Sequence, residues 1–567
     1  MGNLLQELEF GHISHGSKDH IRIEHFGKQH TFSQSDFRIS ESEVIKCIKK
    51  LKSKKSRGID RISNEMIKYS QHALLQVILK LFNMIYTSSK YPTSWAEGYI
   101  VPIFKKDNPL DPSNYRGIVI LNCLGKLFHT IMNERMHTIL EEKKIISRNQ
   151  IGFKKQSRTS DHMFVLKAIT DKYFNENKKV YSCFVDRHKA FDKVSHYYLL
   201  YKMQKSGING NLYKIIKDMY VNVKSKLSVK CGDYLSDSFT SQIGVRQGDV
   251  LSPLLFNLYI NDLVTMFNHD CNPVKLNDQS VNCLLYADDI VLLSESQDGL
   301  QNSLDILDTF CKKWKLHINI NKTKTMVFNK PGRKTKATFN IGGIDIENVT
   351  NYKYLGLVFN AAGKFGIAKK DLKQRANKAM FKLLKTFKGA NPNYRTYMHL
   401  FDRVVAPILL YASDLWAGYI NFKDKELYNT LNKEIIEECH MKYCRIVLGV
   451  NKKAPNIGIY GETGRFPLSL KAVCNFIKFW HRSANIDNNT LLHHAYVKNC
   501  HRTDVNSWVN NVEKMLNKLN LSLPEAKELN ILKITRNLSV SLKNEYVLKW
   551  KDTLFHDIWS KGYDNKL

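Results

Sequence analysis

The sequence predicts an α+β fold that continues into a mostly helical C-terminal part. Two observations support this class. From residue 178 to residue 359, short apolar runs typical of strands alternate with stretches of helical periodicity. After about residue 365 the periodicity is almost entirely helical. A plausible boundary within this helical part is the segment Ala390–Asn393, which contains a proline.

Several local patterns predict where elements begin and end. Ser40 and Glu43 form a capping-box pattern that opens a helix continuing to Leu51. Ser252 and Pro253 are interpreted as the N-cap and first position of a helix over Leu254–Leu263.

The strand and hairpin patterns lie in the middle of the chain. Tyr99–Phe104 and Val180–Val185 are short apolar runs, and the second of them ends at Asp186. Cys283–Leu293 consists of two apolar runs around an Asp-Asp turn, which is the pattern of a hairpin. The sequence therefore predicts that two strand ends carry carboxylates.

The net charge of +33, from 86 Lys and Arg against 53 Asp and Glu, indicates a polyanionic partner. A merely basic surface and an anionic membrane surface are the alternatives. The sequence has no apolar run of about 18 residues, and its N-terminus lacks the pattern of a signal peptide. We expect an intracellular protein, in the nucleus and cytoplasm, that neither crosses nor anchors to a membrane.

Eleven scattered cysteines favour free thiols in a reducing compartment. Cys439, His440 and Cys444 lie close together, but their spacing is not a paired C-x-x-C arrangement. Buried thiols are therefore favoured over a structural zinc site.

The carboxylates Asp186, Asp288 and Asp289 are the strongest chemical signal. Adjacent carboxylates at the mouth of an apolar hairpin repel one another, and bound Mg²⁺ would relieve that repulsion. Nucleotidyl transfer uses two such ions about 3.5–4 Å apart. An Asp-Asp turn alone is more often a solvated surface turn, so the interpretation depends on the motifs around it.

Those motifs resemble a known family. Tyr286–Asp289 resembles the YxDD box of reverse transcriptases, and Phe184–Asp186 with Lys189–Asp192 resembles the first carboxylate motif of the non-LTR (LINE-type) retrotransposon enzymes. Between them, Gly244–Phe256 is similar to that family's next motif. Tyr115–Ile118 resembles the fingers motif and Gln150–Phe153 the motif after it. Asn321–Thr325 resembles the lysine motif and Tyr354–Gly356 the primer grip. Pro407–Tyr411 and Leu448–Val450 resemble the family's C-terminal regions more loosely.

The resemblance implies a right-hand polymerase with fingers, palm and thumb. We expect an N-terminal arm over 1–40, fingers and palm over 41–359, a thumb helix region over 360–390 and a helical basic C-terminal domain over 391–567. No endonuclease domain is expected before residue 41. The thumb helix is predicted over Lys369–Lys388. Its predicted apolar face consists of Leu372, Ala376, Ala379, Leu383 and Phe387.

The implied activity is RNA-directed DNA polymerisation. A primer 3′-hydroxyl attacks the α-phosphate of a dNTP, templated by RNA, with two Mg²⁺ ions as cofactors and Mn²⁺ as the alternative ion. The partners would be template RNA, a DNA primer or target DNA, and dNTP, with no obligate protein partner.

The resemblance also assigns roles to residues. Asp186, Asp288 and Asp289 would hold the metals, and Lys324 would protonate the departing pyrophosphate. Phe191 would press where a ribose 2′-hydroxyl would sit, its alternative being an ordinary core residue. The expected nucleotide contacts are Arg116, Lys105, Gln247 and Gly248. The expected nucleic-acid contacts are Tyr354, Gly356, Lys373, Lys378 and Lys385. For the three lysines, the alternative interpretation is that their helix is only a solvated basic helix.

Three rival functions stay open at this point. An RNA-dependent RNA polymerase also has a palm with paired carboxylates, although Phe191 and the Tyr-Ala-Asp-Asp context disfavour it. A decayed or domesticated element protein would bind RNA without polymerising. A group II intron or retron-type enzyme would share the polymerase core, and the C-terminal resemblance disfavours it.

Overall fold

A computed structural model describes residues 37–560, except 106–107, 188, 224, 331–335, 391, 423–426 and 502–506. The predicted N-terminal arm therefore lies almost wholly outside the described residues. The described part mixes helices with β-sheets, and the α+β class predicted from the sequence is confirmed. The proposed division into domains stays a prediction.

The helices of the described part, in chain order, are α1 Glu41–Lys50, α2 Asn64–Tyr69, α3 Gln71–Ser88, α4 Cys123–Glu142, α5 Thr159–Asn175, α6 His196–Lys205, α7 Gly210–Lys217, α8 Ser252–Ile260, α9 Leu263–Met266, α10 Gln297–Lys313, α11 Gly366–Phe387, α12 Tyr394–Leu400, α13 Ala406–Leu409, α14 Ser413–Trp416, α15 Leu427–Asn432, α16 Ile435–Leu448, α17 Asn456–Thr463, α18 Leu468–Ala484, α19 Leu491–Cys500, α20 Trp508–Asn517, α21 Leu523–Glu528 and α22 Ile531–Ser560. The strands are β1 Gly98–Phe104, β2 Tyr115–Leu121, β3 Val180–Val185, β4 Ser225–Cys231, β5 Tyr234–Leu235, β6 Phe239–Ser241, β7 Val274–Leu276, β8 Gln279–Val281, β9 Cys283–Tyr286, β10 Asp289–Ser294, β11 Lys324–Phe328, β12 Phe339–Ile341, β13 Ile344–Ile346, β14 Asn351–Tyr354 and β15 Leu357–Asn360. None of the helices in these ranges has the length and hydrophobicity that crossing a bilayer requires.

A four-stranded sheet of the described residues has the order β11-β3-β10-β9, and its neighbouring strands are antiparallel. Its two faces belong to two different hydrophobic cores, because side chains alternate across a strand. On β3, Val180 and Phe184 enter one core, whereas Cys183 and Val185 enter the other. The sheet is therefore covered on both sides, and a shift of one residue would exchange the two faces.

A second sheet has the order β2-β1-β4-β5, with β6 also paired to β4. A separate small core supports it, formed by Ile100, Val119, Leu121, Leu227 and Val229. The loop Gly244–Val250 joins this sheet to helix α8. It is fixed to β2 by a hydrogen bond of 2.7 Å from the Val119 amide to the Gln247 carbonyl.

The predicted amphipathic helix is present as α11, Gly366–Phe387, and it buries Leu372, Ala376 and Leu383 as expected. The other two residues of the predicted apolar face, Ala379 and Phe387, are only half-buried. The three buried residues belong to the same core as Phe184 of the four-stranded sheet and Trp480 of α18. The four-stranded sheet, α11 and the C-terminal helices thus share one continuous core.

The two predicted helix starts have different outcomes. The capping box at Ser40 and Glu43 is confirmed, since each side chain accepts a hydrogen bond from the other residue's backbone. The assignment of Ser252 as an N-cap is wrong by one position. Leu251 is the N-cap, and α8 begins at Ser252, whose hydroxyl makes no capping hydrogen bond.

Candidate active site

Two of the three predicted carboxylates lie opposite each other at one edge of the four-stranded sheet. Strands β3 and β10 are antiparallel, and Ile290 pairs with Val185. Continuing this register by one residue places Asp289 across from Asp186. Side chains in directly opposed positions have Cβ atoms about 4.5–5.5 Å apart, and like charges there repel. The fold therefore builds a site of concentrated negative charge at this edge.

The third carboxylate, Asp288, lies in the hairpin turn between β9 and β10. Tyr286 pairs with Asp289, so Ala287 and Asp288 form a two-residue loop. Ala287 adopts a φ of +54°, which a residue with a Cβ rarely takes. The hairpin predicted from the sequence is confirmed, and its tight turn sets Asp288 beside the two opposed aspartates.

A segment from another part of the chain holds this turn. The side-chain oxygen Oε1 of Gln150 accepts hydrogen bonds from the amides of Ala287, at 3.1 Å, and of Gly152, at 2.7 Å. The Ile151 amide donates to the Leu285 carbonyl at 3.0 Å. A Cβ on Gly152 would overlap the Ala287 amide nitrogen and lie 2.9 Å from the Tyr286 carbonyl carbon. Only glycine lets these two backbones come so close.

The electrostatics of the edge reflect the crowding of like charges. Loss of water around its carboxylate raises the pKa of Asp289 to about 6, and the charges of Asp288 and Asp186 act in the same direction. Arg187 and Arg116 oppose the rise. A bound dication would relieve this repulsion, so the donor set suits a cation.

Arg187, which directly follows Asp186, is a second unusual charge at this site. Its side chain is buried, and its guanidinium nitrogens have no hydrogen-bond partner among the described residues. The guanidinium lies 5.5 Å from the centre of the Phe256 ring, in cation–π range. Burial lowers the pKa of Arg187, although the nearby charges of Asp288 and Asp289 oppose this shift.

The three carboxylates fit Mg²⁺ by their chemistry, because Mg²⁺ prefers oxygen ligands. Within the described residues, however, no three His, Cys, Asp or Glu side chains form a ready-made metal cage. Mg²⁺ in phosphoryl-transfer sites is commonly held by one or two carboxylates together with substrate phosphates. An edge of carboxylates open towards a phosphate-bearing substrate is consistent with that mode of binding.

Phe191 lies beside this edge in an aromatic stack. Its half-buried ring stacks on Phe256, with ring centres 4.7 Å apart and planes at 16°. The ring of Phe153 meets it edge-on at 6.4 Å. Phe191 is thus packed on one side and partly exposed. This environment is compatible with a contact to the ribose 2′ position and equally with an ordinary core residue.

The two expected contacts on the loop after β6 sit at the junction with β2. Gly248 is exposed and adopts a φ of +114°, and a Cβ there would lie 2.7 Å from the Val119 carbonyl oxygen. The backbone of Gln247 is held against β2 by the hydrogen bond from Val119. Gly248 is therefore required for the loop geometry, whether or not a nucleotide approaches it.

The expected triphosphate contacts carry exposed cations on the second sheet. Arg116 lies on β2, opposite Ile103, and Lys105 directly follows β1. Partial loss of water lowers the pKa of Lys105, and the neighbouring charges of Arg116 and Lys322 lower it further. The fold thus brings Lys105 and Arg116, at the ends of β1 and β2, close to Lys322, which precedes β11.

Lys324 begins β11 and pairs in the sheet with Phe184, close to the carboxylate edge. Its ammonium forms an ion pair of 2.7 Å with Glu347 Oε2. A role on pyrophosphate would require this exposed pair to open.

The two residues of the expected primer grip occupy different environments. Tyr354 is 3% exposed and packs against Phe184 and Phe359 in the core. The structure therefore does not support direct contact of Tyr354 with nucleic acid, because its side chain is covered by apolar neighbours. Gly356, at a φ of +85°, forms the two-residue turn between β14 and β15 together with Leu355.

The three thumb lysines also differ from one another. Lys378 and Lys385 are exposed on α11. Lys373 is half-buried and forms an ion pair with Glu438 of α16. Only two of the three ammonium groups are therefore unengaged by a carboxylate in the described structure.

Sequence reasoning missed the roles of Gln150, Gly152, Arg187 and Phe256. The motif around Gln150 was noted, but nothing local in it shows that it supports a turn more than 130 residues later. The position of Arg187 in the sequence could have indicated its role. It directly follows Asp186 at the end of a predicted strand, so its guanidinium is expected to lie near the aspartates of the site.

The ring nitrogens of the buried residue His440 are bonded to other side chains of the protein. His440 Nδ1 lies 3.0 Å from Glu437 Oε2, and its Nε2 accepts a hydrogen bond of 2.8 Å from Arg465 Nε. Cys439 and Cys444 are buried on the same helix, α16. Both ring nitrogens are thus already engaged by protein groups.

Comparisons with known proteins show which families the chain is similar to. Residues 103–359 match the family of reverse transcriptases (RNA-dependent DNA polymerases). The probable RNA-directed DNA polymerase from transposon BS of Drosophila melanogaster is 28% identical over 413 residues, covering 71% of this chain and 45% of that protein. The RNA-directed DNA polymerase from mobile element jockey of Drosophila funebris is 30% identical over 340 residues, covering 58% of this chain and 36% of that protein.

A third relative is the retrovirus-related Pol polyprotein from a type-1 retrotransposable element R2 of Nasonia vitripennis. It is 27% identical over 299 residues, covering 51% of this chain and 28% of that protein. The chain thus spans less than half the length of these curated relatives.

Among solved structures, a telomerase from Candida albicans in complex with a TWJ fragment of telomeric RNA has a TM-score of 0.34 and 13% identity, over 82% of this chain and 69% of that one. Residues 103–359 of this chain are thus similar to reverse transcriptases, and the relatives of the chain are polymerases and Pol polyproteins of transposons and retrotransposable elements.

Proposed function

We propose that this protein is an RNA-directed DNA polymerase that adds dNTP to a primer 3′-hydroxyl on an RNA template. The observation that carries the proposal is the edge of the four-stranded sheet. There the register sets Asp186 opposite Asp289 and the turn adds Asp288, all within the segment that matches the reverse transcriptases.

In this proposal Asp186, Asp288 and Asp289 hold two Mg²⁺ ions, with Mn²⁺ as the alternative. When bound, such ions activate the attacking hydroxyl and stabilise charge on the leaving pyrophosphate. The chain's own contribution is positioning and fixed charge. Its partners would be template RNA, a DNA primer or target DNA, and dNTP.

The other proposed roles follow from position. Arg116 and Lys105 would receive the triphosphate, because guanidinium can bind phosphate through two hydrogen bonds and ammonium acts as a point charge. Gln247 and Gly248 would lie close to the nucleotide or template. Lys324 would supply a proton to pyrophosphate after releasing Glu347.

Primer extension on a homopolymer RNA with Mg²⁺ tests the proposed activity. We expect incorporation of dNTP that depends on both template and metal. Comparing dNTP with rNTP separates this function from RNA-dependent RNA polymerisation. Binding of RNA without any incorporation would instead support a decayed or domesticated protein.

The choice of sugar depends on Phe191 in this proposal. Phe191→Val is expected to raise rNTP incorporation relative to dNTP, because a smaller side chain opens space beside the ribose 2′ position. The measurement is the ratio of the two kcat/KM values. Phe239→Val, a half-buried phenylalanine of β6, is the control and should leave the ratio unchanged. A normal dNTP rate with an unchanged ratio in Phe191→Val would show that Phe191 is only a core residue.

The thumb helix is expected to contribute to the salt dependence of hybrid binding. Replacing Lys373, Lys378 and Lys385 with Gln removes three charges and keeps helix propensity. Each lost phosphate contact flattens the log–log salt slope by roughly 0.7–0.9. Because Lys373 is paired with Glu438, we expect two lost contacts and a total change of roughly 1.4–1.8, measured as hybrid affinity at several KCl concentrations.

A matched control removes three lysines at the end of α10. Lys312, Lys313 and Lys315 are exposed, and Lys312 is ion-paired with Asp308, much as Lys373 is paired with Glu438. The control triple variant should leave the slope unchanged. Parallel lines for wild type and the thumb variant would show that α11 faces solvent and that the basic grip lies elsewhere.

A further inference from the structure

The four residues Arg246–Asp249 form a turn with buried ends and an open tip. The Asp249 amide donates to the Arg246 carbonyl at 3.1 Å, which closes a β-turn whose two central residues are Gln247 and Gly248. Gly248 is exposed and Gln247 is half-buried, whereas Arg246 and Asp249 are only 6% and 3% exposed. Charged groups this far from water need other protein groups to balance them, so both ends of the turn are anchored in the interior.

Asp249 is held by a buried histidine of helix α4. Nδ1 of His129 donates to Asp249 Oδ1 at 2.8 Å, since a carboxylate can only accept. The other oxygen, Oδ2, is buried and has no hydrogen-bond partner among the described residues. Loss of the imidazole would therefore leave this buried carboxylate without a side-chain hydrogen bond from that part of the chain, which is a costly arrangement.

The imidazole of His129 is itself fixed by Tyr91. Because Nδ1 carries the proton, Nε2 accepts a hydrogen bond of 2.8 Å from the Tyr91 hydroxyl. The two rings also stack, with centres 5.6 Å apart and planes at 19°. The Tyr91 amide in turn donates to Asp218 Oδ2 at 2.7 Å. The orientation of the imidazole towards Asp249 is thus set by contacts on its opposite side.

The other end of the turn is anchored where the chain enters β4. Arg246 Nη2 donates to the Ser225 hydroxyl at 2.7 Å and to the Met219 carbonyl at 3.3 Å. Arg246 Nε donates to the same hydroxyl at 3.2 Å. Met219 directly follows Asp218, whose carboxylate accepts from the Tyr91 amide. The contacts of the two ends therefore meet at neighbouring residues and form a closed ring beneath the turn.

The residues between these anchors are the ones that the proposed function places at the nucleotide. Gly248 adopts a φ of +114°, and the Gln247 carbonyl accepts the 2.7 Å hydrogen bond from the Val119 amide. Planar peptide units join these two residues directly to Arg246 and Asp249. A shift of either anchored end would move the tip of the turn, so the position of the tip depends on the buried contacts.

We propose that His129 is a positioning residue for the nucleotide: through Asp249 it holds the turn so that Gln247 and Gly248 face the incoming dNTP. The inference rests on the proposed function, which places these two residues at the nucleotide. His129 is buried behind Asp249 and acts through it. Loosening this contact therefore weakens the binding of dNTP more than it slows the chemical step.

Two substitutions of His129 separate the contact with Asp249 from the filling of the core. Asparagine carries its amide near the position of Nδ1, so His129→Asn retains a donor to Asp249. Glutamine carries its amide near the position of Nε2, so His129→Gln removes that donor. We expect His129→Gln to raise the KM for dNTP about tenfold, a change that loss of one hydrogen bond to a charged group can produce. Its kcat should stay near the wild-type value, and His129→Asn should stay close to the wild-type KM.

Two further variants complete the design. His162→Gln is the matched control, because His162 is a buried histidine of α5 whose ring nitrogens have no hydrogen-bond partner among the described residues. Whatever its effect on Tm, this variant should leave the KM for dNTP unchanged. Ser225→Ala releases the other end of the turn by a change too small to prevent folding. It should also raise the KM, because Arg246 loses the hydroxyl that accepts two of its hydrogen bonds.

A measurement without turnover separates this inference from the proposed function. The full chain is bound to an RNA template whose primer ends in a dideoxynucleotide, and the Kd of the next complementary dNTP is measured for each variant. A wild-type Kd in His129→Gln, or equal increases in His129→Gln and His129→Asn, would overturn the inference. If His129→Gln does not fold, a wild-type Kd in Ser225→Ala overturns it. Absence of primer extension by the wild type on an ordinary primer would instead overturn the proposed function.

Discussion

Asp288→Asn is expected to reduce the rate of primer extension by at least about a thousandfold. The amide has nearly the same shape but lacks the charge that holds a cation in the turn. A loss of about 4 kcal/mol in transition-state stabilisation corresponds to about a thousandfold in rate. Hybrid affinity should stay near that of the wild type, because the lysines and arginines that bind phosphate are untouched. The measurement is single-nucleotide addition under saturating primer–template and dNTP.

Asp345→Asn provides the matched control, since Asp345 is an exposed carboxylate on the hairpin β12–β13. It should extend primers at the wild-type rate. Near-normal extension by purified Asp288→Asn protein would refute the assignment of the carboxylate edge as the catalytic centre. Asp186→Asn is expected to behave like Asp288→Asn, because the register sets Asp186 at the same edge.

Gly152→Ala is expected to give the second largest loss. The added Cβ would overlap the Ala287 amide and crowd the Tyr286 carbonyl carbon, so the turn that carries Asp288 must move. Overpacking of this kind costs about 1–3 kcal/mol of stability. A displacement of about 1 Å at reacting groups can cost about a hundredfold in rate. We therefore expect a folded protein with a lower Tm and about a hundredfold slower nucleotide addition.

Gly458→Ala is the control, because no atom lies within 4 Å of the Cβ added there. Gly458 lies inside helix α17, where alanine is favoured over glycine by about 1 kcal/mol. Its extension rate should equal that of the wild type. If Gly152→Ala had a wild-type rate, the contact between Gly152 and the turn would have no bearing on the position of Asp288.

The strand, hairpin and capping box were predictable because their signals are local. Val180–Val185 and Cys283–Leu293 show apolar runs bounded by polar residues, and a strand or hairpin follows from such runs alone. The approach of Asp186 to Asp289 follows once the two strands are paired, but the pairing itself was known only by resemblance. The class of fold and the place of the carboxylates could thus be predicted, and their exact register could not.

Features that depend on distant segments could not be predicted. Nothing near Lys373 in the sequence shows that Glu438 neutralises it, 65 residues later. The resemblance of Tyr354–Gly356 to a primer grip implies that Tyr354 contacts nucleic acid, yet Phe184 and Phe359 pack against its buried side chain. The start of α8 was misplaced by one residue because Ser252 fits an N-cap by composition, whereas Leu251 takes that position in the backbone.

The alternation of β3 between two cores has a consequence for how the molecule can move. Phe184 is sealed in one core and Val185 in the other, so opening either core would expose the same strand. Asp186 directly follows that strand, and Asp289 lies on its neighbour β10. Local unfolding of β3 would therefore cost nearly the full stability of both cores. The sheet β2-β1-β4-β5, in contrast, rests on a small separate core. The proposed polymerisation requires the substrate to shift after each addition. The deformation that costs less free energy lies in the sheet β2-β1-β4-β5, so the carboxylates would keep a fixed position through successive cycles.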